Sequence, residues 1–250
     1  MSKYNISKDI SNIELKDIYE LEKEKFSVKF IKDLDIIFEI ALKNRDIFPS
    51  VNLKEPTPQK YIENWINKYV ESIINKPSSK IANPKLTCND PAVKVIVQKT
   101  QNFTKQEIEI GEKHHNLFMS AENIQGHLLE EYIASKIYKY GFLWCAGNIL
   151  RAIDFCNKDG SIFLQVKNKY NTENSSSSNI REGTKIIKWY RLGVETKKGI
   201  KNPIYKWDEL NNMINQNNNV HLSKCNMSEN DYVKFLKEKS INNPKLITEL

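Results

Sequence analysis

The segment "RAIDFCNKDGSIFLQVKNK", residues 151 to 169, decides the fold. Its two halves have the apolar and β-branched composition of strands, and the "NKDG" between them is typical of a hairpin turn. Polar side chains interrupt both halves where a buried strand would carry apolar ones. These are Asp154 in the first half, and Gln165 and Lys167 on either side of a valine in the second.

The turn determines which side chains share a face of this hairpin. A two-residue turn at 158–159 pairs Asp154 with residue 163, whereas a turn at 159–160 pairs it with Gln165. Both turns place Asp154 on the same face as Gln165 and Lys167, because side chains alternate along a strand. A three-residue turn would break this alignment. The opposite, buried face is predicted to contain Ile153, Leu164 and Val166.

Three polar groups on one buried face cost several kcal/mol unless a partner satisfies them. A divalent cation would do so, because Asp154 offers a carboxylate, Gln165 a side-chain carbonyl and Val166 a main-chain carbonyl. Oxygen ligands of this kind suit Mg²⁺. Lys167 would then be placed to orient or deprotonate a water, or to offset charge on a phosphate. The alternative is an ordinary ion pair between Asp154 and Lys167, with Gln165 at a sheet edge.

A helix before the hairpin supplies a further acid. Residues 120–140, "SAENIQGHLLEEYIASKIYKY", have helical periodicity, with Ser120 as N-cap and Gly141 as the end. Glu130 and Glu131 lie at the two edges of the apolar stripe, so periodicity does not choose between them. Small residues four positions before and after Glu130 would let that side approach the sheet, which favours Glu130. The alternative is that both glutamates lie on a helix face that is exposed to solvent.

Composition limits the classes of protein that this chain can be. Its 250 residues are 40% hydrophobic, which is enough for a folded core. No long apolar run and no leader-like segment occurs, so we expect a cytoplasmic protein without contact to a membrane. The four cysteines are far apart, which disfavours a zinc site or a disulfide framework and predicts buried thiols.

The net charge of +7 is concentrated beside the hairpin. Residues 151–201 carry eleven Lys or Arg against five Asp or Glu, which is nearly the whole excess. Three of the four arginines, Arg151, Arg181 and Arg191, fall in this window. Arginine presents a planar, bidentate donor, so we expect these residues to contact guanine edges or phosphates.

Residues 168–192 are the predicted DNA-recognition segment. The stretch "NTENSSSSN" is rich in short donors and acceptors, although a disordered linker has the same composition. "IREGTKIIKWYRLG" is predicted to be a helix that presents Arg181 to a guanine, and Lys185 and Lys188 to phosphates. The further candidate DNA contacts are Lys169, Asn171, Asn174, Ser175, Ser176, Ser177 and Ser178.

The order of helix Glu, strand Asp and then Gln-x-Lys resembles the PD-(D/E)xK nuclease superfamily. More narrowly, "MSAENIQGHLLEEYIA", "WCAGNILRAIDF", "LQVKNK" and "IREGTKIIKWYR" look like the SinI family of type II restriction endonucleases. The likeness covers about residues 114–192. It implies an α/β fold with a restriction-endonuclease-like mixed β-sheet flanked by helices. We expect a helical N-terminal region at 1–113 and a catalytic region at 114–250.

The resemblance also implies an activity. Members of the family act as Mg²⁺-dependent homodimers that cleave double-stranded DNA at a nearly palindromic site of the GGNCC kind, and we expect the same activity of this chain. A cognate DNA methyltransferase is expected in the same system, but not as a stable subunit. Asp154 matches the motif aspartate, Lys167 the motif lysine and Glu130 the helix glutamate, with Glu131 as a rival.

Two positions depart from the family pattern. Ile153 replaces the motif proline, which is not a ligand, and Gln165 stands where an acid is more usual. The loss of one charge at Gln165 predicts weaker metal binding. It also leaves two alternatives open: a repair or junction nuclease of the same fold, and a non-catalytic DNA-binding relative.

Overall fold

The computed structural model describes residues 2–6, 10–26, 31–81, 90–169, 186–217 and 223–247. In these ranges the helices are α1 (Asn12–Lys23), α2 (Ile31–Lys43), α3 (Pro58–Ile74), α4 (Pro91–Gln101), α5 (Lys105–Ile137), α6 (Trp207–Gln216) and α7 (Glu229–Asn242). The strands are β1 (Ser2–Tyr4), β2 (Val51–Leu53), β3 (Phe142–Trp144), β4 (Phe155–Asn157), β5 (Phe163–Lys169), β6 (Ile186–Lys197) and β7 (Ile200–Tyr205).

The central sheet is mixed and has the strand order β3-β4-β5-β6-β7. β5 and β6 are parallel, and the other neighbouring pairs are antiparallel. Strands β1 and β2 form a separate small sheet. The predicted α/β class, with a mixed sheet flanked by helices, is therefore confirmed.

The predicted N-terminal helices are present as α1 to α4. Ser11 and Thr57 cap α1 and α3 through their hydroxyl oxygens, and proline occupies the first position of α3 and α4. These signals are local, since caps and N-terminal prolines satisfy or remove the free N–H groups of a first turn. The two C-terminal helices are α6 and α7, and the Ser228 hydroxyl oxygen caps α7 by accepting from the Asp231 N–H.

The predicted start of a helix at Ser120 is wrong. One helix, α5, runs from Lys105 to Ile137, and it begins with a capping box formed by Thr104 and Glu107. The hydroxyl of Ser120 donates to the Asn116 carbonyl within the helix, at 2.8 Å. A serine that bonds back to its own helix does not interrupt it. The predicted end is confirmed, because a 3₁₀ turn after α5 ends at Gly141 with a φ of +83°.

The helix predicted over residues 180–193 is wrong for its described part. Residues 186–197 form β6, which pairs in parallel with β5, while residues 180–185 lie outside the described ranges. The sequence "IIKWYR" is rich in β-branched and aromatic residues, and its alternate side chains Trp189 and Arg191 are buried. Strand propensity and a period of two therefore outweigh the weaker helical spacing of the basic residues.

The stretch "FLWCAGNILRAIDFC" is not one strand. Strands β3 and β4 occupy its ends, and residues 145–154 form a loop between them. This loop rests on the N-terminal helices: the Arg151 N–H donates to the Ile47 carbonyl at 2.7 Å, and the Trp65 indole N–H donates to the Ile149 carbonyl at 2.7 Å. The loop leads directly into Asp154.

Two large apolar clusters form the core. The first joins residues of α1, α2 and α3 to the 145–154 loop and to β3, β4 and β5, and the second lies between the sheet, α5, α6 and α7. The boundary that we place at residue 113 falls inside α5. The division into a helical region and a catalytic region stays a prediction.

The cysteines fit the expectation of buried thiols where the structure describes them. Cys145, Cys156 and Cys225 are buried and unoxidised. Cys88 lies outside the described residues. None of the described helices is both long enough and apolar enough to span a membrane.

Gly147 offers a test of how the loop is seated. It has a φ of +80°, and a Cβ atom at this position would lie 2.4 Å from the Lys68 carbonyl oxygen of α3. We expect Gly147→Ala to lower the free energy of unfolding by about 2 to 4 kcal/mol, because backbone strain adds to a clash with main-chain atoms. Urea denaturation followed by tryptophan fluorescence measures this loss.

Gly199 provides the matched control, since its φ is +78° and a Cβ there meets nothing within 4 Å. Gly199→Ala should cost about 1 kcal/mol, from the left-handed backbone alone. Equal losses in the two variants would show that the loop does not depend on close contact with α3.

Candidate functional site

Asp154 stands immediately before β4 and is fixed by both neighbouring strands. Its main-chain N–H donates to the Leu164 carbonyl at 2.9 Å, and its carbonyl accepts from the Cys145 N–H at 2.8 Å. Its carboxylate Oδ2 accepts from the Val166 N–H at 2.6 Å. The carboxylate thus accepts the hydrogen bond that a main-chain carbonyl of a neighbouring strand would otherwise accept from Val166.

The observed register decides between the two predicted turns. Phe155 pairs with Leu164 and Cys156 with residue 163, a register that sets Asp154 opposite Gln165. This is the register of a turn at 159–160. By alternation, Gln165 and Lys167 lie on one face of β5, while Leu164 and Val166 point into the core between the sheet and α5.

Gln165 is almost fully buried, with 6% of its surface exposed. Its side-chain oxygen Oε1 is buried and accepts no hydrogen bond from the described residues. An unsatisfied buried acceptor costs about 1 to 3 kcal/mol, so this oxygen requires a partner that the described residues do not provide.

The structure separates the two candidate helix acids. Glu131 is buried and accepts hydrogen bonds from the N–H and the hydroxyl of Ser78, at 2.8 and 2.6 Å. Glu130 instead lies where its charge interacts with those of Asp154 and Lys167. Glu131 therefore anchors the 3₁₀ turn at Pro77–Ser79, and Glu130 is the acid that adjoins the hairpin.

The two carboxyl groups of the site are held in a poorly solvated environment. Burial raises the pKa of Glu130 to about 8, with a further rise from the charge of Asp154 that the Trp144 indole and Lys167 oppose. Burial also raises the pKa of Asp154 to about 6, opposed by the Val166 N–H and by Lys167. A carboxylate that raises the proton affinity of its neighbour, as Asp154 does for Glu130, marks a site of negative potential.

These groups have the chemistry of a divalent cation site. Two adjoining carboxyl groups and an unsatisfied amide oxygen supply the hard oxygen ligands that Mg²⁺ requires. No three His, Cys, Asp or Glu side chains gather at such a site within the described ranges.

The sheet register places two residues of β6 next to the site residues of β5, which could not be predicted from the sequence. Lys188 of β6 lies opposite Gln165, and Tyr190 lies opposite Lys167. Paired residues of adjacent strands point to the same face, so both side chains belong to the face of the site. Lys188 was predicted to lie on a helix, and only the parallel pairing of β5 with β6 identifies it as a neighbour of Gln165.

Most of the remaining predicted DNA contacts lie outside the described residues. Lys169 is exposed at the end of β5, where its ammonium group pairs with Glu122 of α5 at 3.1 Å. The others lie outside the described ranges: Asn171, Asn174, Ser175, Ser176, Ser177, Ser178, Arg181 and Lys185.

Arg191 does not face the solvent, contrary to the prediction that it contacts DNA. It is 5% exposed, and its guanidinium donates to the side chains of Asn168 and Glu229 at 2.8 and 2.5 Å. The planar donor expected of an arginine is present, but it is directed into the protein because the residue is on the core side of β6.

A cleft of about 290 Å³ opens beside Glu130. Its polar lining comes from α5, from the 145–154 loop and from residues around the 3₁₀ turn at Pro77–Ser79. The polar residues include Lys80, Asn123, His127, Glu130 and Asn148. The cleft gives Glu130 access to the exterior.

The sequence is similar to known restriction enzymes. The family model described as SinI restriction endonuclease matches residues 71–239, which include every site residue named above. Type II restriction enzyme Eco47I of Escherichia coli is 37% identical over 158 residues, 62% of this chain and 63% of that protein. Type II restriction enzyme SinI of Salmonella infantis is 40% identical over 116 residues, 45% of this chain and 50% of that protein. The chain thus spans less than two thirds of either relative.

The raised pKa values make stability depend on pH in the absence of metal. Between the ordinary pKa of a glutamate and about 8, the folded protein binds more protons at Glu130 than the unfolded chain. The free energy of unfolding therefore falls as pH rises through this range. We expect the melting temperature in EDTA to fall from about pH 5 to about pH 8, and Glu130→Gln to remove most of this slope.

Glu122, which lies on the same helix and is largely exposed, is the control. Glu122→Gln should keep the wild-type slope in the same thermal-shift series. A slope that persists unchanged in Glu130→Gln would mean that Glu130 is solvated and does not adjoin Asp154.

Proposed function

The chain belongs to the SinI restriction endonuclease family, and from that we propose that it is a type II restriction endonuclease. It hydrolyses phosphodiesters of double-stranded DNA at a short, nearly palindromic site of the GGNCC kind. The observation that carries the proposal is the convergence of Glu130, Asp154 and Lys167 beside the unsatisfied Oε1 of Gln165. The named relatives support the enzyme class.

Asp154, Gln165 through Oε1, Val166 through its main-chain carbonyl and Glu130 would hold Mg²⁺. When bound, the ion supplies positive charge that stabilises the phosphate in the transition state. The fit rests on the buried carboxyl pair and on the amide oxygen that lacks a donor. A bound cation also lowers the proton affinity of both carboxyl groups, so binding should release protons at neutral pH.

Lys167 acts directly in the reaction. The charge of Lys167 interacts with both carboxyl groups, which supports this role. We assign to it the orientation of a water for in-line attack and the compensation of negative charge on the phosphate. Attack by the water forms a new P–O bond and releases one proton of the water, the bond from phosphorus to O3′ breaks, and the O3′ atom takes up a proton. The products carry a 5′-phosphate and a 3′-hydroxyl.

A nearly palindromic site suits two copies of the chain. Each copy contributes one set of Glu130, Asp154, Gln165 and Lys167, so cleavage of both strands in one encounter requires a homodimer. The residues at 168–192 that were predicted to read DNA start directly after Lys167. We retain Lys169 and Lys188 among the proposed DNA contacts, together with Arg181, Lys185 and the polar residues at 171–178.

A non-catalytic DNA-binding role is the second candidate, because Gln165 replaces the usual acid. Incubation of plasmid DNA with the purified protein and Mg²⁺ separates the possibilities. Discrete fragments support a restriction endonuclease, and nicking limited to unusual DNA structures supports a repair or junction nuclease. Binding without cleavage supports the non-catalytic role.

Lys167→Ala tests the catalytic assignment. We expect cleavage to fall by at least about a hundredfold, because a group that stabilises the transition state is lost. Specific DNA binding in Ca²⁺, measured by gel shift, should be largely retained. Lys237, exposed on α7, provides the control, and Lys237→Ala should cleave like the wild type. A Lys167→Ala variant with full activity would refute the mechanism.

Gln165→Glu tests whether this residue is a metal ligand. A third carboxylate should tighten Mg²⁺ binding about tenfold and lower the Mg²⁺ concentration for half-maximal cleavage, because ligand charge sets the affinity of such sites. Calorimetric titration of the DNA-free protein measures the first effect. Gln101→Glu, on the exposed end of α4, carries the same change of charge away from the site and should leave Mg²⁺ binding unaltered. Unaltered affinity in Gln165→Glu would exclude Gln165 as a ligand.

A further inference from the structure

A row of polar side chains lies beneath the end of β5. Asn168 follows Lys167 and, by alternation, points to the opposite face of the strand, toward α5. Its Nδ2 donates to Oε1 of Gln125 on α5 at 2.6 Å, and its Oδ1 accepts from Nε of Arg191 on β6 at 2.8 Å. Both functional atoms of Asn168 are thus used in joining three elements.

Arg191 is itself held in place. Its NH1 atom donates to Oε1 of Glu229 on α7 at 2.5 Å, and the other oxygen of Glu229 accepts from the Trp207 indole at 2.9 Å. The guanidinium also lies over the rings of Tyr205 and Tyr232, 5.5 and 5.3 Å from their centroids. We use "the clamp" for the four residues Gln125, Asn168, Arg191 and Glu229.

The clamp lies beside the two elements that carry the site. Gln125 precedes Glu130 by five residues on α5, which is about 7.5 Å along a helix. Asn168 is the residue after Lys167 on β5. A change in the spacing between Gln125 and Asn168 would therefore also move Glu130 relative to Lys167.

Stability alone is a poor reason for such a largely buried ion pair. Arg191 is 5% exposed, and moving its charge and most of the Glu229 carboxylate out of water is unfavourable. Apolar side chains of similar size would pack the same space at equal or lower cost. Directional hydrogen bonds, in contrast, fix the distance and orientation between elements, which packing alone does less sharply.

We propose that the clamp is a positioning device, which sets the distance between Glu130 on α5 and Lys167 on β5 and so keeps the cation site in its binding geometry. This inference rests on the proposed function. Asn168 and Arg191 are positioning residues in it and do not touch the reacting atoms.

The test compares Asn168→Leu with a matched variant elsewhere. Asn211 is buried, whereas Asn168 is half-buried, and the Asn211 side chain likewise makes two hydrogen bonds, donating to the carbonyl and accepting from the N–H of Met227, both at 2.8 Å. Asn211→Leu therefore removes the same groups without touching β5. The melting temperature of both variants should fall, which would show that the hydrogen bonds of each asparagine contribute to the stability of the fold.

Only the clamp variant should alter the cation site. We expect Asn168→Leu to weaken Mg²⁺ binding to the DNA-free protein about tenfold to a hundredfold by calorimetry, the usual effect of removing a residue that orients ligands. Asn168→Asp keeps an acceptor for Arg191, and the Gln125 amide can turn so that its Nε2 donates to the second carboxylate oxygen, so this variant should recover most of the affinity. Gln125→Leu should weaken binding like Asn168→Leu, and the double variant should be no weaker than either, because the two residues act as one unit.

Two results would overturn the inference. One is a Mg²⁺ affinity in Asn168→Leu that equals that of Asn211→Leu. The other is full additivity of the Gln125 and Asn168 changes. If Asn168→Leu does not fold, Gln125→Leu and Asn168→Asp carry the same comparison. A wild-type protein that neither binds Mg²⁺ nor cleaves DNA would instead refute the proposed function.

Discussion

The hydrogen bond from the Val166 N–H to the Asp154 carboxylate is the constraint around which the site is organised. It is a charge-assisted bond in a poorly solvated place, and it ties the first residue before β4 to the middle of β5. The loop at 145–154 must deliver Asp154 to this point, and α5 must bring Glu130 to the same place. The position of the sheet relative to the helices follows from these two requirements.

Gln165 acquires a physical meaning from the electrostatics around it. In the metal-free protein the charge of Asp154 already raises the proton affinity of Glu130. A third carboxylate would add to that repulsion, whereas an amide adds an oxygen without a charge. Within the proposed function, the glutamine exchanges some affinity for the cation for a smaller electrostatic cost when the cation is absent.

Much of this architecture could be predicted from local signals. The hairpin, the shared face of Gln165 and Lys167, and the helices α1 to α4 follow from periodicity, caps and prolines, because these act within a few residues. The predicted place of Ile153 beside Leu164 and Val166 is wrong, because Ile153 packs in the first apolar cluster and the other two in the second. Ser120 misled because a serine is compatible with both a cap and a helix interior. The segment "IIKWYR" misled because the spacing of its basic residues suggested a helical face, whereas its partner β5 makes it a strand.

Only part of the candidate site could be predicted from the sequence. Alternation along β5 placed Gln165 and Lys167 together, but the choice of Glu130 over Glu131 required the contact of Glu131 with Ser78, which lies 53 residues away in the sequence. The burial of Arg191 depends equally on Glu229 and Asn168. Contacts of this kind arise from tertiary packing, which no single stretch of sequence encodes.

The seating of the 145–154 loop on the N-terminal helices has an evolutionary consequence. Gly147 lies against the Lys68 carbonyl, Ile149 accepts from Trp65, and the turn at Gly160 lies against Ile40. A substitution of Trp65 removes the donor that holds the loop, and one of Ile40 alters the contact under the turn that follows β4, so each is tolerated best with a compensating change in the segment above it. Among relatives, these helix and loop positions should therefore vary together, although they lie more than seventy residues apart in the sequence.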